Sequence, residues 1–125
     1  MNVARLRVFE QVRLDRDRLA TLYREIGERG TENLIEEAME QIATQLSNIR
    51  KAMNERKLAD VHRSAKNVRI LAEQIGMPLL ASVASDVMQV CRNADRTALY
   101  ATVARLTRIG ENSLIAAWGL EDRIV

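Results

Sequence analysis

The chain is poor in the residues that build strands and tight turns: one proline, five glycines, and aromatic side chains at only 3% of 125 residues. A β-sandwich or barrel of this length needs more turn residues and more β-branched and aromatic strand positions, so an all-β fold is excluded. The single cysteine, Cys91, excludes an intramolecular disulfide and a thiolate zinc site. No run approaches the roughly 18 apolar residues of a membrane span. The opening MNVARLRVFE lacks the apolar core of a signal peptide. The expectation is a cytoplasmic protein with no membrane partner. A Gly-rich phosphate loop, an HExxH motif, a Glu-x-x-His di-iron pair and a nucleophile elbow are all missing. Autonomous kinase or hydrolase chemistry is therefore not expected, and neither a metal nor an organic cofactor is implied.

What is present reads as one soluble helical domain. Hydrophobic residues make up 47% and charged residues 29% of the chain, which is ordinary for a globular protein. Nineteen basic and seventeen acidic residues leave a net charge of +2. Sixteen of the basic residues are arginines, scattered along the chain rather than gathered into a stripe. No nucleic-acid partner is expected from that pattern.

Breakers divide the sequence into helix-length pieces. Met1 to Arg13 forms an N-terminal extension of ambiguous structure. Asp15 is placed to cap a short helix carrying Leu19, Leu22, Tyr23 and Ile26, which stops at Gly27. After Gly30, Thr31 is a candidate cap for a helix to about Asn54, with Leu34, Ile35, Ala38, Ile42, Leu46, Ile49 and Met53 recurring every three or four residues. The next helix, Lys57 to about Ile75, carries Val61, Ala65, Val68, Ala72 and Ile75 on one stripe. Gly76 sits where a left-handed C-terminal cap belongs, and Pro78 suits a first helical turn. That helix presents Leu79, Leu80, Val83, Val87 and Val90 and ends near Asn93. Asp95 caps a last helix with Leu99, Val103, Leu106 and Ile109, continuing to about Trp118 before Gly119.

Short connections force neighbouring helices to be antiparallel. The expected fold is thus all-α: an antiparallel four-helix bundle over residues 14–119, with a short N-terminal helix covering one end or side and a C-terminal tail at 120–125. Cys91 reads as a core residue beside Val87 and Val90, Met39, Met53, Met77 and Met88 as core filler, and Glu36, Glu37 and Glu40 as a wet helix face. Ile115 and Trp118 read as an end cover or as part of a homodimer interface.

The most informative stretch runs from Asp60 to Gly76. At roughly 100° per residue, Val61, Ser64, Ala65, Val68, Leu71, Ala72 and Ile75 share one face. His62, Lys66, Arg69 and Glu73 fall on the opposite face within about 60° of one another, with Arg63 and Ile70 beside them. His62 and Lys66 are expected to face solvent one turn apart. Such a face is either a solvated charged surface or a site for docking a partner and accepting phosphate. An imidazole nitrogen is a nucleophile near neutral pH, and nearby cations offset phosphoryl charge.

From about Leu14 to Leu114 the chain resembles a histidine-containing phosphotransfer (HPt) domain of bacterial phosphorelays. The family signature is roughly A-H-x-L-K-G-x-A-x-x-L/I-G followed by a leucine. Ala65-Lys66-Asn67-Val68-Arg69-Ile70-Leu71-Ala72-Glu73-Gln74-Ile75-Gly76, with Leu79 beyond, fits that register without a gap. Leu22 to Gly27 is similar to the end of the family's first helix. Arg92-Asn93-Ala94-Asp95 is similar to its R-x-G-D turn, with Ala94 in place of the glycine.

In this register Lys66 stands at the phosphoaccepting histidine, Arg69 at the usual lysine and Ile70 at the small glycine, while His62 lies one turn earlier. An ammonium group has no lone pair with which to accept phosphate at neutral pH. The resemblance implies a four-helix bundle that engages the receiver domain of a response regulator or hybrid histidine kinase. His62 is then the candidate phosphoacceptor, Arg63, Lys66, Arg69, Ile70 and Glu73 are the binding residues, and any magnesium sits on the partner. Two mechanisms follow from it: phosphotransfer through His62, or receiver binding without transfer. A helical adaptor, chaperone or dimeric scaffold unrelated to phosphotransfer is the alternative from the residues alone.

Overall fold

Asp15 begins the first helix by accepting from the N–H groups of Asp17 and Arg18 at 2.8 and 3.1 Å. This satisfies two of the donors that every helix start leaves open. The computed structural model describes residues 14–93 and 95–124, with side chains through Ile115. Among them lie four helices: α1 (Arg16–Asn54), α2 (Leu58–Gln74), α3 (Pro78–Asn93) and α4 (Arg96–Ile124). Each packs against its chain neighbours, and α1 also packs against α4, closing a four-helix bundle.

The buried stripes follow the 3.6-residue period. Ile35, Ile42, Leu46 and Ile49 of α1 meet Val61, Ala65, Val68 and Ala72 of α2, Leu80, Val83 and Val87 of α3, and Leu99, Val103 and Leu106 of α4 in one core. Met39, Met77 and Met88 are buried, and Met53 packs against the same core. Cys91 is half-buried beside it, and burial pushes its thiol pKa up.

The expected stop at Gly27 is a kink at which two helical segments of α1 meet. Residues 16–26 continue into α1 through a kink at Gly27, whose backbone (φ 78°, ψ 175°) is the one non-helical point in 39 residues. Gly27 tolerates this left-handed conformation because it has no Cβ. The turn expected between Gly27 and Thr31 is helical, so Thr31 is not a cap. It is fully buried, and its hydroxyl donates to the Gly27 carbonyl at 2.7 Å.

The arm before the kink is tied to the turn joining α2 to α3. The Asp15 N–H donates to the Gly76 carbonyl at 2.6 Å, and Arg18 Nε donates to the Gln74 carbonyl at 2.9 Å. The long part of α1 is antiparallel to α2, so its foot lies at the same end of the bundle as that turn. An arm of eleven residues spans roughly 16 Å, enough to cross this end with Leu19 and Leu22 buried beneath it. Ile26, expected on the apolar side of the arm, is exposed next to the kink.

Two helix ends close in the same way. At the end of α1, Arg56 N–H donates to Met53 O and Lys57 N–H to Ala52 O. At the end of α2, Gly76 N–H donates to Glu73 O and Met77 N–H to Ala72 O. Both closures need one left-handed residue, supplied by Gly76 (φ 74°) and by Arg56 (φ 59°). Asp95 caps α4 by accepting from the Ala98 N–H at 3.0 Å. The last helix does not stop at Gly119 but runs to Ile124, through most of the expected 120–125 tail. The readings placed on Met1 to Arg13 and on the Trp118 side chain lie outside the described residues. No described helix is long and apolar enough to cross a membrane.

Candidate functional site

Helix α2 has one flank committed to α1. Asn67 Nδ2 donates to Gln45 Oε1 across that seam, and Asp60, Arg63, Ser64 and Asn67 line a polar groove with Gln45 and Asn48. Val61, Ala65, Val68 and Ala72 point into the core. The remaining arc carries Lys66, Ile70 and Glu73, all exposed.

The sequence-derived face is therefore assembled in part. Lys66, Ile70 and Glu73 lie on the open arc as expected. His62 and Arg69 are half-buried at its edge, on the side away from α1. A correction follows for His62: it is not fully solvent-facing but sits where the arc turns towards the core. By helical phase His62 lies about 60° from the buried Ala65. Arg63 is exposed but ion-paired to Asp60 at the lip of the α1–α2 groove, which draws it away from the centre of the face.

Arg69 is held loosely. Its Nε is shielded from solvent without a hydrogen bond, and the nearest carboxylate oxygen, Glu73 Oε1, is 3.9 Å away. A pair at that range contributes little, so the guanidinium is not committed to a close carboxylate. Ile70 is 48% exposed one turn beyond Lys66. About half of this β-branched apolar side chain is left open to solvent.

Of Leu79 and Leu80, both expected on the apolar stripe of α3, Leu80 is buried and Leu79 is exposed. Among the described residues, no group of three or more His, Cys, Asp or Glu side chains converges as a metal site.

Sequence reasoning missed a second feature, at the end of the bundle opposite the arm. There Ala52, Met53, Val61 and Leu99 line a pit of about 110 Å³ with Leu58 and Tyr100, rimmed by Arg56, Lys57 and Arg96. These residues come from three helices, so no local pattern announces them. A left-handed arginine is likewise invisible without backbone geometry.

Comparison with protein-family models, with curated proteins and with solved structures gives no match to this chain.

Proposed function

We propose that this protein is an HPt-like docking module that binds receiver domains of two-component signalling through the exposed arc of α2 and does not itself carry the phosphate. The observation that carries the reading is Ile70, about half exposed on a face otherwise made of charge, with Lys66 one turn before it and Arg69 adjacent. An apolar side chain beside Lys66, on an arc that also carries Glu73 and is edged by Arg69, suits a partner with an acidic pocket bordered by apolar surface, which the HPt resemblance implies for a receiver. Burying Ile70 against such a partner would supply the hydrophobic centre that specific interfaces have, and Lys66 and Arg69 would supply its charged rim.

The absence of transfer follows from chemistry at Lys66. The position at the centre of the arc carries an ammonium group, which can neutralise a receiver's acidic pocket but has no lone pair to attack phosphorus. His62 has the lone pair but stands at the edge of the arc, half-buried, one turn away. A partner centred on Lys66 and Ile70 is not centred on His62.

The test is titration of the protein against a panel of purified response-regulator receiver domains by calorimetry. The reading expects one or more receivers to bind the native chain. Lys66→Glu and Ile70→Asp should each weaken that binding by about tenfold or more, and His62→Gln should leave it nearly unchanged. Equal binding by the native chain and by Lys66→Glu would remove the α2 arc as the docking surface. Loss of binding in His62→Gln alone would shift the reading to phosphotransfer through that residue.

A further inference from the structure

The two ends of the bundle are built differently. One is crossed by the arm at 16–26, with Leu19 and Leu22 buried beneath it. At the other, nothing in the described chain covers the pit between α1, α2 and α4. Leu58 remains 41% exposed and Tyr100 59% exposed at its mouth. Three cations, Arg56, Lys57 and Arg96, surround this apolar opening. The carboxylates nearby in sequence are already engaged: Glu55 pairs with Lys57 at 3.1 Å, Asp60 with Arg63, and Asp95 caps α4. The side chains of Arg56 and Arg96 have no ion-pair or hydrogen-bond partner among the described residues.

Arg56 makes the arrangement more specific. It occupies the left-handed position of a helix end whose twin, at α2, is filled by glycine. A residue with a Cβ is disfavoured there. The strained position is occupied by the residue whose side chain rims the pit, and strain of this kind collects at functional sites.

We infer that this end of the bundle is a second docking site, which takes an acidic peptide segment of a partner protein by one apolar side chain. The pit, at about 110 Å³, is smaller than the roughly 150 Å³ that accommodates a benzene ring. Its depth has room for one apolar side chain of about leucine size. Arg56 and Arg96 provide the complement for carboxylates on either side of that anchor. The chain's own first thirteen residues have the wrong sign for this role, with Arg5, Arg7 and Arg13 against Glu10. The inference is independent of the reading of the α2 arc.

The test is selection of a displayed random-peptide library against the full chain, followed by fluorescence anisotropy with one enriched peptide. Enrichment of an apolar residue flanked by Asp or Glu is expected on the native protein. The double variant Arg56→Glu/Arg96→Glu, with native helicity, should weaken the chosen peptide by about tenfold or more. Tyr100→Ala should weaken it as well. Lys66→Glu should leave it unchanged, which separates this site from the α2 arc. Several outcomes would overturn the inference. One is no acidic enrichment, and another is an enriched peptide indifferent to the double variant. A third is self-association abolished by that variant, which would make a second copy the occupant. A fourth is displacement of the peptide by decanoate at equal potency, which would make the pit a site for small anionic amphiphiles.

Discussion

Arg56 and Gly76 hold the same position in the same helix-ending motif, and only one of them has a Cβ. Replacing Arg56 (φ 59°) with glycine should relieve the left-handed penalty and raise stability by about 1 kcal/mol. The measurement is urea unfolding, with a higher midpoint at an unchanged slope. With the open end as the peptide site, the same variant gains stability and loses peptide affinity. Gly76→Ala should act in the opposite direction. The new side chain would sit on a left-handed backbone with its Cβ 2.9 Å from Arg18 Cβ, and the two effects together cost roughly 2–4 kcal/mol. Cys91 offers a third check at this scale. Burial pushes its thiol pKa up, so the thiolate is scarcer near neutral pH than for a free cysteine. At pH 8 its reaction with a disulfide reagent should be slower in the folded chain than in the urea-unfolded chain. Equal rates would contradict the burial.

At the scale of elements, the arm at 16–26 depends on a few contacts at its start. Asp15→Ala removes two capping hydrogen bonds, a loss of about 1 kcal/mol. The effect should be local: amide exchange around Leu19 and Leu22 should accelerate while α2 and α3 keep their protection. Uniform acceleration throughout the bundle would mean that the arm is integral to the core rather than a cover.

Most helix ends were legible because capping is local chemistry. Asp15, Gly76, Pro78 and Asp95 each act within a few residues, and each occupies its expected role. The kink was not legible, because a glycine that stops a helix and one that bends it carry the same signal. What decides between them is whether the next turn can bury its side chains, and Thr31 does so by bonding its hydroxyl to the Gly27 carbonyl. The extension of α4 to Ile124 was missed for a similar reason, since Gly119 reads as a stop and is passed through.

At the scale of the molecule, the four stripes close one core and leave apolar groups open to solvent, among them those on the arc of α2 and at the uncovered end. The arc was largely readable from a helical wheel, which placed Lys66, Ile70 and Glu73 outside. The wheel overstated the exposure of His62 and Arg69, because it does not know how far the neighbouring helix reaches around α2. The open end was unreadable, since Arg96 and Tyr100 meet Arg56 and Leu58 only after folding.

The central claim is the proposal that the α2 arc binds a receiver without accepting its phosphate, with Lys66 at the place the HPt resemblance gives to the phosphoaccepting histidine. The most direct measurement is incubation with a phosphorylated receiver that binds the chain, followed by intact mass at neutral or basic pH, where phosphohistidine survives. The account predicts a complex in solution and no species heavier by one phosphoryl group, about 80 Da. A phosphorylated species that disappears in His62→Gln would contradict it and make His62 a relay residue.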